Sequence, residues 1–274
     1  METEIKYLVD RHFGSAARLY RKLRDRRWFA RLKEVQTGIG LTLIAEPGLA
    51  DAIPGYNEIP TLQELLADRD VFVDVGAHLG LYSCIAAKMG KYVVAIEPHP
   101  LNLQLLYRNF RRNELDRNFE IHAAALSDRQ QVAELFGGQQ GGSLLEGWSG
   151  IKSNYETTVF VNTLDRLLEG RFLDQRLVIK VDVEGNENSL LLGASETLDR
   201  KPAPAWMVEI GLTENFAGST NPHYIDIFEK FWSRGYRASP LSRPGQVVGR
   251  ADLERWVRDR KTDHGDINYR FVKD

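Results

Sequence analysis

The hydrophobic pattern changes period repeatedly along this chain, and the changes mark its elements. Val71 to Val75 is a short run of β-branched and aromatic residues around a single charge, Asp74, which predicts a buried strand. The run breaks at Gly76, and apolar positions return at helical spacing through Leu81, Cys84, Ile85 and Met89. The same alternation predicts strands at 71–75, 92–97, 119–126, 177–183 and 205–211. Helices fall near 79–90, 100–113, 163–169, 187–199 and 222–234. Strands alternating with helices imply an α/β fold with a mostly parallel sheet and helices on both faces. From Gly235 to Phe271 two further strands flank a polar, charged excursion, which brings the sheet to seven strands.

The flanks and the insertion read differently. Residues 11–33 carry nine Arg or Lys and one acid, Asp25, with Phe13, Ala16, Ala17, Tyr20 and Leu23 at helical spacing. This predicts an amphipathic helix packed on the domain or on a second copy of the chain, as in a homodimer. From Thr37 to Pro60, short apolar runs are cut by Gly38, Gly40, Pro47, Gly48, Pro54 and Gly55, which predicts a hairpin and loop. Tyr56 and Glu58 would then lie near the site. Residues 1–60 are therefore read as an N-terminal extension and 61–274 as the main domain. The insertion at 128–162 holds a glycine cluster, Gly137 to Gly142, then Ser143 and a strand-like TTVFVN. Clustered glycines leave the backbone unconstrained and predict a mobile loop over the site.

Composition narrows the class. A chain of 274 residues with 43% hydrophobic residues can bury the core of one α/β domain with appendages. Its net charge of −2 gives no general pull toward nucleic acid. The single cysteine, Cys84, lies on the helix after Gly76 and reads as a small buried apolar residue. METEIKYLVD is acidic and lacks a long apolar core, and no stretch of about 18 apolar residues is available to span a bilayer. The expectation is a cytoplasmic protein without stable membrane insertion.

The chemistry starts at the first strand–turn–helix. Glu97 closes the second strand 21 residues after Gly76, where an acid accepts hydrogen bonds from both ribose hydroxyls. Dinucleotide sites use G-x-G-x-x-G to cradle a pyrophosphate. Here the pattern is D-x-G-A-x-x-G, with Asp74 two residues before Gly76, followed by Ala77, His78 and Gly80. A carboxylate there repels a pyrophosphate but suits the ammonium and sulfonium charges of S-adenosylmethionine.

A longer resemblance follows. DVGAHLGLYS, IEPHPLNLQLLYRN, IHAAALSD, GGSL, VNTLDRLL and VIKVDVEGNENSLLLGA come in an order that resembles the FkbM family of S-adenosylmethionine-dependent methyltransferases. The likeness runs from about Gly55 to Ile210, and K-x-D-x-E-G-x-E is its most specific segment. It implies a Rossmann-like class I methyltransferase fold and mostly O-methylation of sugars and secondary metabolites. Two positions depart from it: His78 stands where asparagine is more usual, and Asn186 where a small residue is.

In an open parallel sheet the ligand lies beyond the carboxyl ends of the strands. Asp74 and the loop of Gly76, Ala77, His78 and Gly80 would hold the methionine portion, and Glu97 the ribose. Ser127 and Asp128, matched by the resemblance, would face the adenine amine. Strand alternation places Lys180, Asp182 and Glu184 on one side, so Asp182 and Glu184 would face the acceptor hydroxyl unless they simply pair with Lys180. Asp182, His78 and His223 are the candidate bases, and Glu187 reads as a helix-start acid. Asp182 and Glu209 could share a hard divalent cation, but two carboxylates assign no metal.

The leading expectation is thus an O-methyltransferase for a small-molecule or glycan acceptor. N-methylation is the alternative enzyme reading, and a non-catalytic cofactor-binding module is another. A nucleic-acid methyltransferase is disfavoured: Asp182 is followed by Val183 and Glu184 where base amino-methylation uses D/N-P-P-Y/F.

Overall fold

The computed structural model describes residues 29–273 apart from 57, 116, 138–140, 151–155 and 217. The basic helix expected over 11–33 lies almost wholly outside the described residues, as does the middle of the Gly137–Gly142 cluster. The chain divides between Gly55 and Tyr56 into two compact units. In the first, β1 (Lys33–Gln36) and β2 (Thr42–Ala45) pair antiparallel and α1 (Pro47–Ala52) follows. Thr37 closes their turn: its Oγ1 accepts from the Leu41 amide at 3.0 Å. The hairpin therefore starts before Thr37, and the expected loop behind it is largely helical.

The second unit begins with α2 (Glu58–Leu66), which crosses the boundary expected at residue 60. Pro60 sits in its first turn, where the backbone N–H groups have no helical partner to lose. Then come β3 (Val71–Val75), α3 (Leu81–Lys88), β4 (Tyr92–Ile96), α4 (Pro100–Arg112) and β5 (Phe119–His122). The insertion supplies β6 (Ala125–Leu126), β7 (Gln131–Phe136) and β8 (Glu156–Asn162). After it follow α5 (Leu164–Leu168), β9 (Leu177–Val181), α6 (Glu187–Leu192), α7 (Ser195–Leu198), β10 (Ala205–Glu209) and α8 (Tyr224–Trp232). The chain closes with β11 (Arg237–Pro240), α9 (Arg250–Asp259) and β12 (Asn268–Val272).

The main sheet has seven strands in the order β11-β12-β10-β9-β3-β4-β5. It is mixed: β10, β9, β3, β4 and β5 run parallel, and β12 is antiparallel to both β10 and β11. Strand order runs outward one way from β3 and the other way from β9. Right-handed crossovers therefore put α3 and α4 on one face and the helices after β9 on the other. The switch point, where a crevice opens, lies between β3 and β9.

With both faces covered, β3 and β9 are buried at every position, and this is why they read as unbroken apolar runs. Asp74 and Lys180 are the charged exceptions, and the register sets them side by side. On the second face the core is aromatic. Phe231 stacks on Phe271 at 3.8 Å and meets Trp206 and Tyr236 edge-on at 5.5 Å. Tyr236, Trp256, Tyr269 and Phe271 all belong to this core.

Three expected elements are corrected. The strand expected over 119–126 is two strands in different sheets, because the backbone turns where the Ala124 amide bonds back to the His122 carbonyl. The helix expected over 187–199 is broken at Gly193: a side chain there would meet the Ser127 carbonyl oxygen at 2.1 Å. The strand expected to reach 183 stops at Val181, so alternation does not extend to Glu184. Among the described residues no helix is long and apolar enough to cross a membrane.

Phe231→Ala should lower the unfolding free energy by about 3–5 kcal/mol, the usual scale for emptying a buried aromatic site. Urea unfolding checks this, with the midpoint falling and the slope unchanged. A loss under about 1 kcal/mol would contradict the packing described.

Candidate functional site

At the switch point the loops after β3 and β9 touch. The Asp182 amide donates to the Val75 carbonyl at 3.0 Å. Gly76 adopts φ +82°, and a Cβ on it would lie 1.8 Å from the Asp182 carbonyl oxygen. Only glycine satisfies both demands. The Gly76 and Ala77 amides both donate to the Ile96 carbonyl at 3.0 Å, which ties in the end of β4. His78 follows at φ +52°, and Gly80, at φ +87°, opens α3.

Two buried carboxylates flank this loop. Asp74 accepts from Ser83 Oγ at 2.6 Å through Oδ2, while its buried Oδ1 has no hydrogen-bond partner among the described residues. Burial raises its pKa, against the pull of Lys180. Glu97 is the first residue beyond β4. Its Oε2 accepts from the His78 amide at 2.8 Å, and its Oε1 accepts from the His99 amide at 2.8 Å and Asn102 Nδ2 at 3.1 Å. Burial still pushes its pKa up to about 7 despite these donors. Burial also pulls the His78 imidazole down to about 4, so it is neutral at physiological pH.

Across the Gly76 contact lies a second polar group. Lys180 is buried, and its Nζ pairs with Asp182 Oδ2 at 2.9 Å. Burial alone would lower the lysine pKa, but the carboxylates of Asp182 and Asp74 outweigh it and hold it above its ordinary value. The ammonium also sits 4.8 Å from the centre of the Tyr82 ring. Tyr82 Oη donates to Glu58 Oε2, and Asn268 Nδ2 donates to Glu58 Oε1 at 2.8 Å. Glu209, at the end of β10, is raised to about 9 by the Asp182 carboxylate and by burial. Tyr56 is raised by burial and by Glu58 and Asp182.

Glu184 is placed otherwise than strand alternation implied. It adopts φ +53° and turns its carboxylate to Trp148, whose Nε1 donates to Oε2 at 2.8 Å. Ser143 Oγ donates to the Glu184 carbonyl at 2.7 Å. The Trp148 ring covers Gly185, where a Cβ would meet it at 2.3 Å, and it meets Phe216 edge-on at 5.0 Å. The insertion is therefore pinned onto the loops after β9 and β10. Glu187 accepts from the Gly185 amide at 3.0 Å in the first turn of α6, and burial lifts its pKa to about 7.

The structure thus gathers Asp74, Gly76, Ala77, His78, Gly80, Glu97 and Asp182 around the switch point. Ser127 and Asp128 make local contacts: Asp128 accepts from Ser127 Oγ at 3.3 Å and pairs with Arg129 at 3.0 Å. His223 is exposed and pairs with Asp226 at 3.5 Å. Among the described residues no group of three or more His, Cys, Asp or Glu is arranged to hold a metal ion. Sequence reasoning missed Tyr82, Asn268 and Trp148. Tyr82 lies in the glycine-loop segment itself, whereas Asn268 and Trp148 carry no local signal.

Residues 74–238, more than half of the chain, match the family described as "Methyltransferase FkbM domain", and the chain belongs to that family. The family is one of S-adenosylmethionine-dependent methyltransferases. No curated protein matches the sequence. Among solved structures, the chain is similar to methyltransferase FkbM from Methylobacillus flagellatus KT, at 19% identity and a TM-score of 0.43 over 75% of this chain. It spans 44% of the length of that protein. It is also similar to a precorrin-6y C5,15-methyltransferase from Geobacter metallireducens GS-15, at 14% identity and TM-score 0.38, covering 67% of this chain and 72% of that one. An rRNA methylase from Streptococcus thermophilus gives 13% identity and TM-score 0.40, covering 80% of this chain and 93% of that one.

The raised pKa of Glu97 has a sign that can be measured. The folded state keeps the proton up to about pH 7, while an unfolded glutamate loses it near 4.3. The folded state binds more protons in between, so this residue's contribution to stability falls as pH rises through that window and is level above it. Glu97→Gln cannot titrate, and the hydrogen bonds it changes give an offset that does not depend on pH. The variant should therefore gain on the wild type by up to about 1.4 kcal/mol per pH unit between roughly pH 5 and 7. Paired thermal melts across that range check it, and parallel curves would refute the shift.

Proposed function

We propose that this chain transfers the methyl group of S-adenosylmethionine to a hydroxyl of a sugar or a secondary metabolite. The observation that carries the reading is the Gly76–Asp182 contact, which sets a cofactor-suited pair of acids and an acceptor-suited acid on either side of one loop. The donor set fits the cofactor. Asp74 Oδ1 is a buried acceptor with no partner among the described residues, suited to an ammonium directly or through a water. Glu97 is held by three donors and retains acceptor capacity for ribose hydroxyls. When bound, S-adenosylmethionine supplies an electrophilic methyl on a sulfonium.

The chain must then align an acceptor oxygen and remove its proton. Alignment at near-attack distance contributes about 7–11 kcal/mol in favourable cases. Asp182 is our choice of base, because it follows the end of β9 at the switch point, with Lys180 Nζ at 2.9 Å and 29% of its side chain exposed. His78 is read instead as part of the cofactor loop, since its amide donates to Glu97 at 2.8 Å. Glu209, whose carboxyl is pushed up by the neighbouring Asp182 and by burial, is our choice of hydrogen-bond donor to the acceptor. Glu184 anchors Trp148, and Glu187 holds the Gly185 amide, so both are read as supports. No step requires a metal.

Calorimetry with S-adenosylhomocysteine should show one site on the wild type. Glu97→Ala should lose about 1.5–3 kcal/mol, the scale of hydrogen bonds to a charged group. Unchanged affinity in both Asp74→Ala and Glu97→Ala would overturn the cofactor assignment.

The acceptor role is tested by a panel of sugars, nucleotide sugars and hydroxylated aglycones, with release of S-adenosylhomocysteine as the readout. On the acceptor so found, Asp182→Asn should turn over about 10²–10⁴-fold more slowly, with melting temperature and S-adenosylhomocysteine affinity nearly intact. Full activity in the folded variant would refute the role. Selective turnover of amines over hydroxyls would replace O- with N-methylation.

A further inference from the structure

We infer that Tyr82 is a positioning residue for methyl transfer, acting through Lys180 on Asp182, and that Glu58 and Asn268 hold it in place. The inference rests on the acceptor-side role proposed for Asp182. It goes further in naming a brace that originates outside the matched family segment, since Glu58 and Asn268 both fall beyond residues 74–238.

The geometry is continuous from the edge of the site to its centre. Asn268, the first residue of β12, is buried and donates to one oxygen of Glu58 at 2.8 Å. The Tyr82 hydroxyl donates to the other oxygen of Glu58. With both ends of the carboxylate engaged, the tyrosine ring has a fixed plane. Lys180 Nζ lies 4.8 Å from the centre of that ring, within the reach of a cation–π attraction, and 2.9 Å from Asp182 Oδ2. A lysine has four rotatable bonds and no planar fork to pre-set its geometry. Held only by Asp182, its ammonium could swing toward Asp74 in the adjacent register position. The ring face limits that movement. The hydroxyl of Tyr82 thus anchors the ring, and the ring keeps the ammonium on Asp182.

The test compares Tyr82→Phe and Tyr82→Leu with the wild type. The first removes the anchor and keeps the ring; the second removes both. Acetic anhydride labelling of the cofactor-free protein, read by mass spectrometry at Lys180, reports the ammonium without any acceptor. Tyr82→Leu should label about tenfold faster than wild type, with Tyr82→Phe between them. On the acceptor found by the panel, Tyr82→Leu should lose about 10–100-fold in kcat, with acceptor KM and S-adenosylhomocysteine affinity within about threefold. The acid limb of its kcat/KM profile should move to higher pH, and Tyr82→Phe should recover most of the loss. Equal labelling of Lys180 in all three proteins would overturn the inference. So would a Tyr82→Leu protein that melts lower but turns over normally per folded molecule. If Asp182→Asn is fully active while labelling follows the expected order, the reading of Asp182 fails and the positioning role of Tyr82 with it, leaving only the contact that holds Lys180. If Asp182→Asn is inactive and Tyr82→Leu is not, the brace fails alone.

Discussion

A lysine buried in the middle of a parallel sheet is the constraint on which this site depends. Taking an ammonium out of water costs several kcal/mol unless it is paired and hydrogen-bonded. Lys180 meets that demand with Asp182 at 2.9 Å, Asp74 in the neighbouring register position and the face of Tyr82. The dependence is mutual. Asp74 lies on a strand that is buried throughout, where burial pushes its pKa up and the Lys180 charge opposes that push. The β3–β9 pairing, Asp74 and Asp182 are therefore tied together through Lys180. Such a pair is costly to break from one side, and a lone apolar replacement at Lys180 would leave two acids uncompensated.

The backbone adds a second constraint of a different kind. The approach of Gly76 to the Asp182 carbonyl is steric, and it sets how closely the ends of β3 and β9 converge. Because the Asp182 amide is already bonded to Val75, the residue that faces the crevice is fixed by its main chain before its side chain is considered. A side chain carried on main chain fixed in this way has little freedom of position.

Around this centre the carboxylates are sorted by environment. Glu97, Glu187 and Glu209 sit above the usual carboxylate range through burial or the proximity of Asp182. Asp182 itself keeps a cation at hydrogen-bond distance. Carboxylates within one crevice thus differ in burial and in the charges they face, the general means by which acid and base roles are separated. The insertion completes the wall: Trp148 covers Gly185 and binds Glu184, so the loop after β9 is supported from outside the sheet.

The local elements were legible because their signals are local. The apolar run at Val71–Val75, its break at Gly76 and the acid at Glu97 specify a strand, a tight turn and a second strand end. The spacing of Asp74, Gly76 and Gly80 carries the cofactor reading, and the family match covers those residues. What the sequence could not show is where alternation stops. Lys180 and Asp182 do share a side, but the strand ends at Val181 and the left-handed turn at Glu184 sends its carboxylate to Trp148. The pairing of β6 with β8 and the break of the helix at Gly193 were hidden for the same reason, since both depend on backbone that arrives from elsewhere in the chain. Tyr82, Glu58 and Asn268 are brought together across a separation of 210 residues. Sequence by itself determined the order of elements and the acids that end the strands, because those follow from nearest-neighbour periodicity. Only the tertiary structure decided which acid keeps its proton and which cation it faces, because burial and distance arise only when the strands are assembled.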